Sequence, residues 1–593
     1  MKLKHLYILG AVALMTASCN EDSFLDLKPQ GSLNEDIMTS TDGAELLVNS
    51  AYAALGGPEG QSWSVWQHPT SNWTYGEVRS DNAYKGGGGV GDLNEVHRME
   101  TFDMDATNGF LDSKWYHLYC SVQRCNSALR VLNAATDEEV KNRVSRIAEM
   151  KVLRAHYYFE LSRLFNKIPY FDENVEIAEY PNIPNDAYTR DEILGKLADE
   201  MMDASEMLPE SQPEVGRIHK YIALAYAAKI KLYQAYQQDE TTHAVVSINK
   251  DLLREVVSLC DQVTASNRYG LFDDFQALDL VANENGKESV FAIQYSMNDG
   301  TESAGRINWS NLLNSPGGGS PYGGDGFFLP SQDLINAYQT DENGLPDFDY
   351  QSKPDYSWVI LNDGKYVLQN VAPNVDPRLD FVVGRPNVTW KTYKEKPCEG
   401  WVRDKETYGY NCAKRFWVSP ESSDMFNGWP WGASQLNWQI IRYADILLWK
   451  AEALIELNEG GLETARELIN QIRNRARNSA YVRDFNDQTQ FAANYLINPY
   501  PAEVWNQEYA RKALRWEMRL EKALEGERFF DLVRWGVVET TMNNYIAAES
   551  DNRIYYANAH FTGGKDEYYP VPNNQYGFSG GKYVQNPGYA PFK

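Results

Sequence analysis

The sequence has little of what usually announces a chemistry. Six cysteines are spread over 593 residues, with no Cys-x-x-Cys pair and no zinc-type spacing. The eight histidines are scattered. No His-Glu-x-x-His or Gly-x-Ser-x-Gly occurs, and no dinucleotide fingerprint follows a strand. The residues therefore give no positive reason to expect an enzyme. Positive charge is also short, with 56 Lys and Arg against 82 Asp and Glu for a formal balance of −26. So acidic a surface repels nucleic acid and anionic lipid, and the chain shows no basic patch to offset it. Long apolar runs are absent beyond the N-terminus. The best later stretch, Ala444 to Leu457, is interrupted by Lys450 and Glu452, and a span needs roughly 20 apolar residues.

What is present begins with the first eighteen residues. Lys2 and Lys4 give a positive start, Leu6 to Met15 an apolar run, and Thr16-Ala17-Ser18 small residues before Cys19. That order is a secretory signal, residues 1–18, too short to cross a bilayer. Cysteine at the expected cut is a lipidation position, where each buried acyl methylene contributes about 0.8 kcal/mol. The alternative is an ordinary signal peptide followed by an incidental cysteine. Lipid on Cys19 would be the only membrane anchor. The five remaining cysteines are odd in number, so at least one is unpaired within the monomer. Cys398 and Cys412 could pair in an oxidising compartment. Cys120 and Cys125 fall on a predicted helix in directions about 140° apart, which predicts buried thiols.

Helical patterns dominate the rest. Asp112–Asn133 is apolar at helical spacing, and Glu138–Phe165 repeats it through Met150, Leu153, Tyr157, Leu161 and Leu164 before Pro169. Further helices are expected over Arg190–Met207, Ile218–Gln237, Lys250–Ala265, Trp438–Asn458, Leu462–Ala476 and Ala502–Leu524. Ala155, Ala225, Ala228, Ala444 and Ala451 are small enough for close helix crossings. The fold class is therefore mainly α: a tetratricopeptide-like helix-pair scaffold with a large loop-rich half. No strict 34-residue repeat aligns. From about 269 to 437 the chain is irregular and rich in Gly, Pro and aromatics. That is too long for a plain connection and too aromatic for disorder.

Three separated stretches carry a family resemblance. Leu153 to Phe171 (LRAHYYFELSRLFNKIPYF), Ile440 to Asn458 (IIRYADILLWKAEALIELN) with Ala465 to Arg477, and Trp516 to Gly536 (WEMRLEKALEGERFFDLVRWG) resemble the signatures of SusD-like (RagB/SusD) outer-membrane nutrient-binding lipoproteins of Bacteroidetes. Phe24-Leu25-Asp26, Asp376 to Asp380, Tyr569 to Pro572 and Gln585 to Tyr589 are smaller echoes. Asn20-Glu21-Asp22 after the lipid cysteine is similar to acidic surface-export signals of such lipoproteins. Glu527 stands where the family often has His, and Asn573 where an acidic residue is common; both positions look structural. The resemblance implies a single domain over 19–593, with the scaffold mainly in 112–265 and 437–536 and the insert at about 269–437. It also implies an outer-membrane, cell-surface location and a SusC-like TonB-dependent transporter as partner.

Aromatic residues make up 13% of the chain, and a ring offers a flat apolar surface that matches the C–H face of a pyranose. Three loop clusters are candidates for that role. The first is Trp63, Trp66, Trp73 and Tyr75 with Asp81 and Asn82. The second is Asn308 and Trp309 with Tyr322 and Asp325. The third is Trp417, Trp429 and Trp431. Asp81, Asn82, Asn308 and Asp325 supply partners for sugar hydroxyls. Core packing beneath a loop is the competing assignment for each Trp, and local loop capping for Asp81 and Asn82.

Other features carry blander expectations. Gly86 to Gly89 lacks a following Lys-Ser/Thr, so it is expected to be a flexible loop near the ligand and not a phosphate loop. Asp103-Met104-Asp105 matches the start of a calcium loop, but Lys114 stands where the bidentate Glu belongs. No cofactor or metal is expected, with an irregular calcium site left open. Glu517, Glu521 and Glu525 share one helix face at i, i+4 spacing, which fits ion-paired scaffolding with Arg519, Arg528, Arg534 or other cations better than a glycosidase dyad. Arg154 and Arg442 to Asp445 are assigned the same scaffolding role. The leading function is capture of oligosaccharide or polysaccharide for delivery to the transporter. Peptide or other nutrient capture is the alternative, and a surface glycosidase the less favoured one.

Overall fold

The computed structural model describes residues 40–57, 65–300, 306–360, 365–368 and 372–592. The signal segment, Cys19 and Trp63 lie outside them. The principal helices are α1 (Thr41–Ala53), α2 (Gly109–Ala134), α3 (Arg143–Phe165), α4 (Arg190–Met207), α5 (Lys220–Ala235), α6 (Lys250–Ala265), α7 (Tyr443–Leu457), α8 (Leu462–Asn478), α9 (Gln507–Glu521), α10 (Arg528–Arg534) and α11 (Val538–Glu549). The fold is mainly α, as the sequence predicts. Their ends follow local chemistry. Asn108, Asn249 and Asn506 accept hydrogen bonds from first-turn amides of α2, α6 and α9, and Thr189 and Glu192 form a capping box on α4.

Each helix packs on the next from α2 to α6. The predicted stripe of α3 is fully inside, with Met150, Leu153, Leu161 and Leu164 at 0% exposure. Ala155, Ala225, Ala228, Ala444 and Ala451 are equally buried, and at such crossings a larger side chain would push the helices apart. The stack does not stop where the sequence becomes irregular. Helix α6 packs directly on α7, and α7 on α8 and α9, so the residues between are looped out of a continuous frame.

Four strands root that insert: β1 (Ala83–Gly86), β2 (Ser289–Ile293), β3 (Phe327–Pro330) and β4 (Trp438–Arg442). β2 and β4 run antiparallel from Ser289↔Arg442 to Ile293↔Trp438; β1 and β3 pair from Ala83↔Pro330 to Gly86↔Phe327. Trp438–Arg442 is thus strand where helix was expected. The Trp-Gln-Ile-Ile-Arg run is β-branched and aromatic and finds a partner strand. The helix starts only where the Arg442 N–H donates to Asp445 Oδ2 at 2.8 Å. α9 likewise begins at Gln507, not Ala502. Helices α1 and α11 carry no signal that the sequence reading used.

The three acidic side chains are inside the protein, but they do not share one helix face as expected: α9 ends at Glu521, and Glu525 lies in the turn beyond it. Glu517 pairs with Arg378 at 2.6 Å and Arg473 at 3.1 Å. Glu521 pairs with Arg442 at 2.6 Å, Arg378 at 3.1 Å and also Arg475. Glu525 meets Arg442 at 2.9 Å, Arg415 and Lys522, and Arg442 and Arg475 also reach Glu288. Ion-paired scaffolding is what the structure shows, and the partners are other cations than the three arginines named from the sequence. Arg519 and Arg528 serve Asp81, and Arg534 serves Glu452 and Asp531. Arg154 pairs with Glu173 and Glu200, and Glu527 with Arg163 and Lys229. Below this network two backbones touch: a Cβ on Gly76 would lie 1.9 Å from the Gly526 carbonyl oxygen, and Gly526 has φ +84°, so neither position admits a side chain.

Two outcomes follow for stability. Arg442→Ala strands Glu288, Glu521 and Glu525 without their shared cation and is expected to cost about 3–5 kcal/mol in urea unfolding; a loss below about 1 kcal/mol would refute the role given to the network. Burial alone would raise the Glu521 pKa, but Arg475, Arg442 and Arg378 hold it at about 2. A carboxylate depressed in the folded state stabilises above its unfolded value, and that contribution disappears as pH falls. The thermal midpoint should therefore drop between about pH 4.5 and 2, and a flat acid limb would contradict the pairing.

Candidate ligand-binding site

The three aromatic clusters of the sequence do not form three platforms. Parts of all three converge on one. The Val65–Gln67 turn, which carries half-buried Trp66, packs against the Trp309–Asn311 turn. Trp309 meets Trp429 edge-on, with ring centroids 5.8 Å apart and planes at 63°. Trp429 and Trp431 are 48% and 45% exposed. Ser315 fixes their loop from below by donating its hydroxyl to the Trp431 carbonyl at 2.7 Å. Asn308 does not face solvent. Its amide donates to the Leu436 carbonyl at 3.0 Å, its Oδ1 accepts from the Ser310 N–H, and its own N–H donates to the Ser434 carbonyl. It sets the geometry of the turn that presents Trp309.

Trp309 forms one wall of a groove of about 400 Å³, whose polar margin is Asn49, Arg217, Gln294 and Arg306. A second groove of about 410 Å³ adjoins it, sharing Val215, Gly216, Arg217, Ala292 and Gln294. Gly216 has φ +84°, and a Cβ there would approach Gln294 Cγ to 2.5 Å. The glycine therefore keeps the passage between the two grooves open. Arg217 is held in place by Glu45 at 2.8 Å and Glu149 at 3.2 Å, with its guanidinium 5.2 Å from the Tyr52 ring centroid. Arg306 is 57% exposed beside Asp299. These polar residues escaped the sequence reading; only Arg306, two positions before Asn308, had a local cue.

Trp73, Tyr75, Asp81, Asn82, Tyr322 and Trp417 are buried and structural, which corrects their assignment to the ligand, whereas Asp325 is half-exposed. Trp73 is 2% exposed and packs on Phe327 and Phe328. Tyr75 is sealed, its hydroxyl donating to the Gln67 and Phe110 carbonyls. Asp81 accepts a bidentate pair from Arg528 at 2.8 and 2.9 Å. Burial would raise its pKa, but Arg519 and Arg528 hold it low. Asn82 donates to Glu77 at 2.9 Å and accepts from Arg519. The Glu77 carboxyl is pushed up to about 7 by burial. Tyr322 donates to the Val418 carbonyl and accepts from the Trp390 indole, and Trp417 is buried beside it. Asp325 is half-buried, with its carbonyl bonded to Arg403 at 2.9 Å and its carboxyl pKa raised by burial.

The glycine run is also no free flap. Lys85 Nζ sits inside its turn, donating to the Gly86 carbonyl at 3.0 Å, the Gly89 carbonyl at 2.8 Å and the Asp92 carbonyl. Asp105 pairs with Arg98 at 2.8 Å and caps Thr107, and no metal-holding cluster occurs among the described residues. Cys398 is exposed and Cys412 buried, both as free thiols, and Cys125 is buried while Cys120 is half-buried.

A family model described as the SusD family matches residues 287–589, and one described as "Starch-binding associating with outer membrane" matches residues 23–232. The chain belongs to the SusD family. SusD-like protein P2 of Formosa agariphila is 25% identical over 540 residues, covering 90% of this chain and 91% of that protein. Among solved structures, a SusD homolog from Bacteroides thetaiotaomicron superposes with TM-score 0.68 at 18% identity, over 94% of this chain and 98% of that one. Surface glycan-binding protein A from Bacteroides thetaiotaomicron, in complex with laminarihexaose, gives TM-score 0.62 at 18% identity, over 92% of this chain and 99% of that one. These likenesses share the fold. Among the described residues no helix is long and apolar enough to cross a membrane.

The two classes of indole separate in a stability measurement. Trp73→Ala should cost about 3–5 kcal/mol in urea unfolding, whereas Trp429→Ala and Trp431→Ala should each cost less than about 1 kcal/mol. Equal losses would mean that the exposed rings are structural.

Proposed function

We propose that this protein is a cell-surface lipoprotein, anchored through Cys19, that binds oligosaccharide on the Trp309–Trp429–Trp431 platform and passes it to a TonB-dependent transporter. The carrying observation is the convergence of rings from separate segments beside an open groove with amide and guanidinium groups at its margin. Stacking needs a flat apolar face, and sugar hydroxyls need planar polar partners; this groove offers both within one site. The laminarihexaose complex of the structural neighbour supports a glycan as ligand, and the family description that mentions outer membrane supports the location. The two adjoining grooves suit a chain several sugars long. Binding in the millimolar range corresponds to about −4 kcal/mol, and such weakness lets a carrier release its cargo.

No catalytic role is proposed. The carboxylates of Glu517, Glu521 and Glu525 are buried and paired with arginine and lysine. Titration of the mature chain with laminarihexaose and a glycan panel should give heat with at least one glycan, and Trp429→Ala with Trp431→Ala should weaken it at least about tenfold. Silence toward every glycan, with binding of peptides instead, would move the assignment to the peptide alternative. Released sugars after incubation with polysaccharide would restore the glycosidase. Cys19→Ala should lose membrane association in cell fractionation, and retention would refute the lipid anchor.

A further inference from the structure

Helices α9, α10 and α11 enclose a recess of about 660 Å³ that shares no lining residue with the indole grooves. Four of its five cations lie within nine residues of α9, and folding adds the fifth from α10. Arg511, Arg515 and Arg519 recur every fourth residue and therefore fall on one face of α9. Lys512 lines the same recess, and Arg528 reaches it from α10.

These cations are not equivalent. Arg511 is closed by Glu456 at 2.6 and 2.7 Å. Arg519 is held by Asp333 at 2.7 Å and Asn82 at 2.9 Å, and Arg528 by both oxygens of Asp81. Arg515 lies between them without a hydrogen bond or ion pair to any described residue, its guanidinium 5.1 Å from the Trp535 ring centroid. Burial pulls its pKa below the ordinary arginine value, against the opposing fields of Tyr236, Glu452 and Glu456. Lys512 likewise forms no ion pair with a described residue, although Glu508 lines the same recess, and its Nζ is 4.3 Å from the Phe348 ring centroid. In a chain with a surplus of 26 negative charges, two cations one turn apart on α9 that lack a bonded carboxylate, beside Trp516 and Trp535, are conspicuous. A partly buried guanidinium with no direct hydrogen-bond partner is costly, and an incoming anion recovers that cost through charge-assisted hydrogen bonds.

We propose that this recess is a second ligand site, in which Arg515 and Lys512 take the anionic group of an acidic saccharide, a uronate carboxylate or a sulfate ester, with the Trp516 ring beside the sugar. The volume suits one or two sugar rings. Aromatic lining next to the cations favours a substituted sugar over a bare inorganic anion, since only the sugar uses both surfaces.

The test is titration of the mature chain at low ionic strength with trigalacturonate, a sulfated galactose disaccharide, neutral galactotriose and inorganic sulfate. At least one acidic sugar should bind about tenfold more tightly than galactotriose and than inorganic sulfate, and added salt should weaken it. Arg515→Gln should reduce that affinity about tenfold and Arg515→Lys less, while Trp429→Ala with Trp431→Ala leaves it unchanged. The two acidic probes distinguish carboxylate from sulfate ester. Silence of both, equal binding of galactotriose or of inorganic sulfate, or full affinity in Arg515→Gln would overturn the proposal. Should Arg515→Gln fail to fold, Lys512→Gln, at an exposed position, decides in its place: unchanged affinity there overturns the site.

Discussion

Everything in this molecule hangs on three buried carboxylates at the C-terminal end of one helix and in the turn that follows it. Glu517, Glu521 and Glu525 are each 7% exposed or less, and burying three like charges so near one another would be prohibitive alone. Their partners arrive from different parts of the chain. Arg378 and Arg415 come from the insert, Arg442 from the junction of β4 and α7, and Arg473 and Arg475 from α8. The cost of desolvation is offset only when all of these segments are in place together. The network therefore acts as a condition on assembly: insert, strand pair and scaffold helices must agree before any charge is satisfied. Apolar burial supplies the bulk of the stabilisation, as in other domains, while the ionic centre specifies which arrangement is reached.

A second ionic centre does the same for the N-terminal loops. Asp81 binds Arg528 and Arg519, and Arg519 continues to Asp333 in the insert. Loops that look irregular along the sequence are thus pinned at their bases, and only their outer edges are left to present side chains. Trp429 and Trp431 sit on such an edge, held by Ser315 beneath. The arrangement gives a binding surface that is rigid below and open above, so little ordering entropy is spent when a ligand arrives.

The helical frame was legible because its cause is local. Apolar spacing, Asn and Thr caps and small crossing residues all lie within a few positions of what they determine, and α4 and α6 were predicted to the residue. The site was only partly legible because its cause is distant. Trp73 and Trp429 both lie in loop-like sequence near glycine, but Phe327 and Phe328 cover one ring and leave the other in solvent. Asp81 carries no mark of the arginine that claims it, 447 positions along. Gln294 and Asn49 gain meaning only when β2 brings the insert against α1. The spacing of Glu517, Glu521 and Glu525 did reveal that cations must interleave, though not which ones.

The strand pair at the root of the insert has a consequence for how such a chain can diversify. β2 and β4 close the loop-rich region into a ring whose entrance and exit lie side by side, and α6 abuts α7 across the same gap. Because closure entropy grows only with the logarithm of loop length, residues can be added or removed beyond this clasp at small thermodynamic expense. The frame then behaves as a socket, in which selectivity toward a new cargo is reached by exchanging the contents of one closed loop while the helices remain as they are.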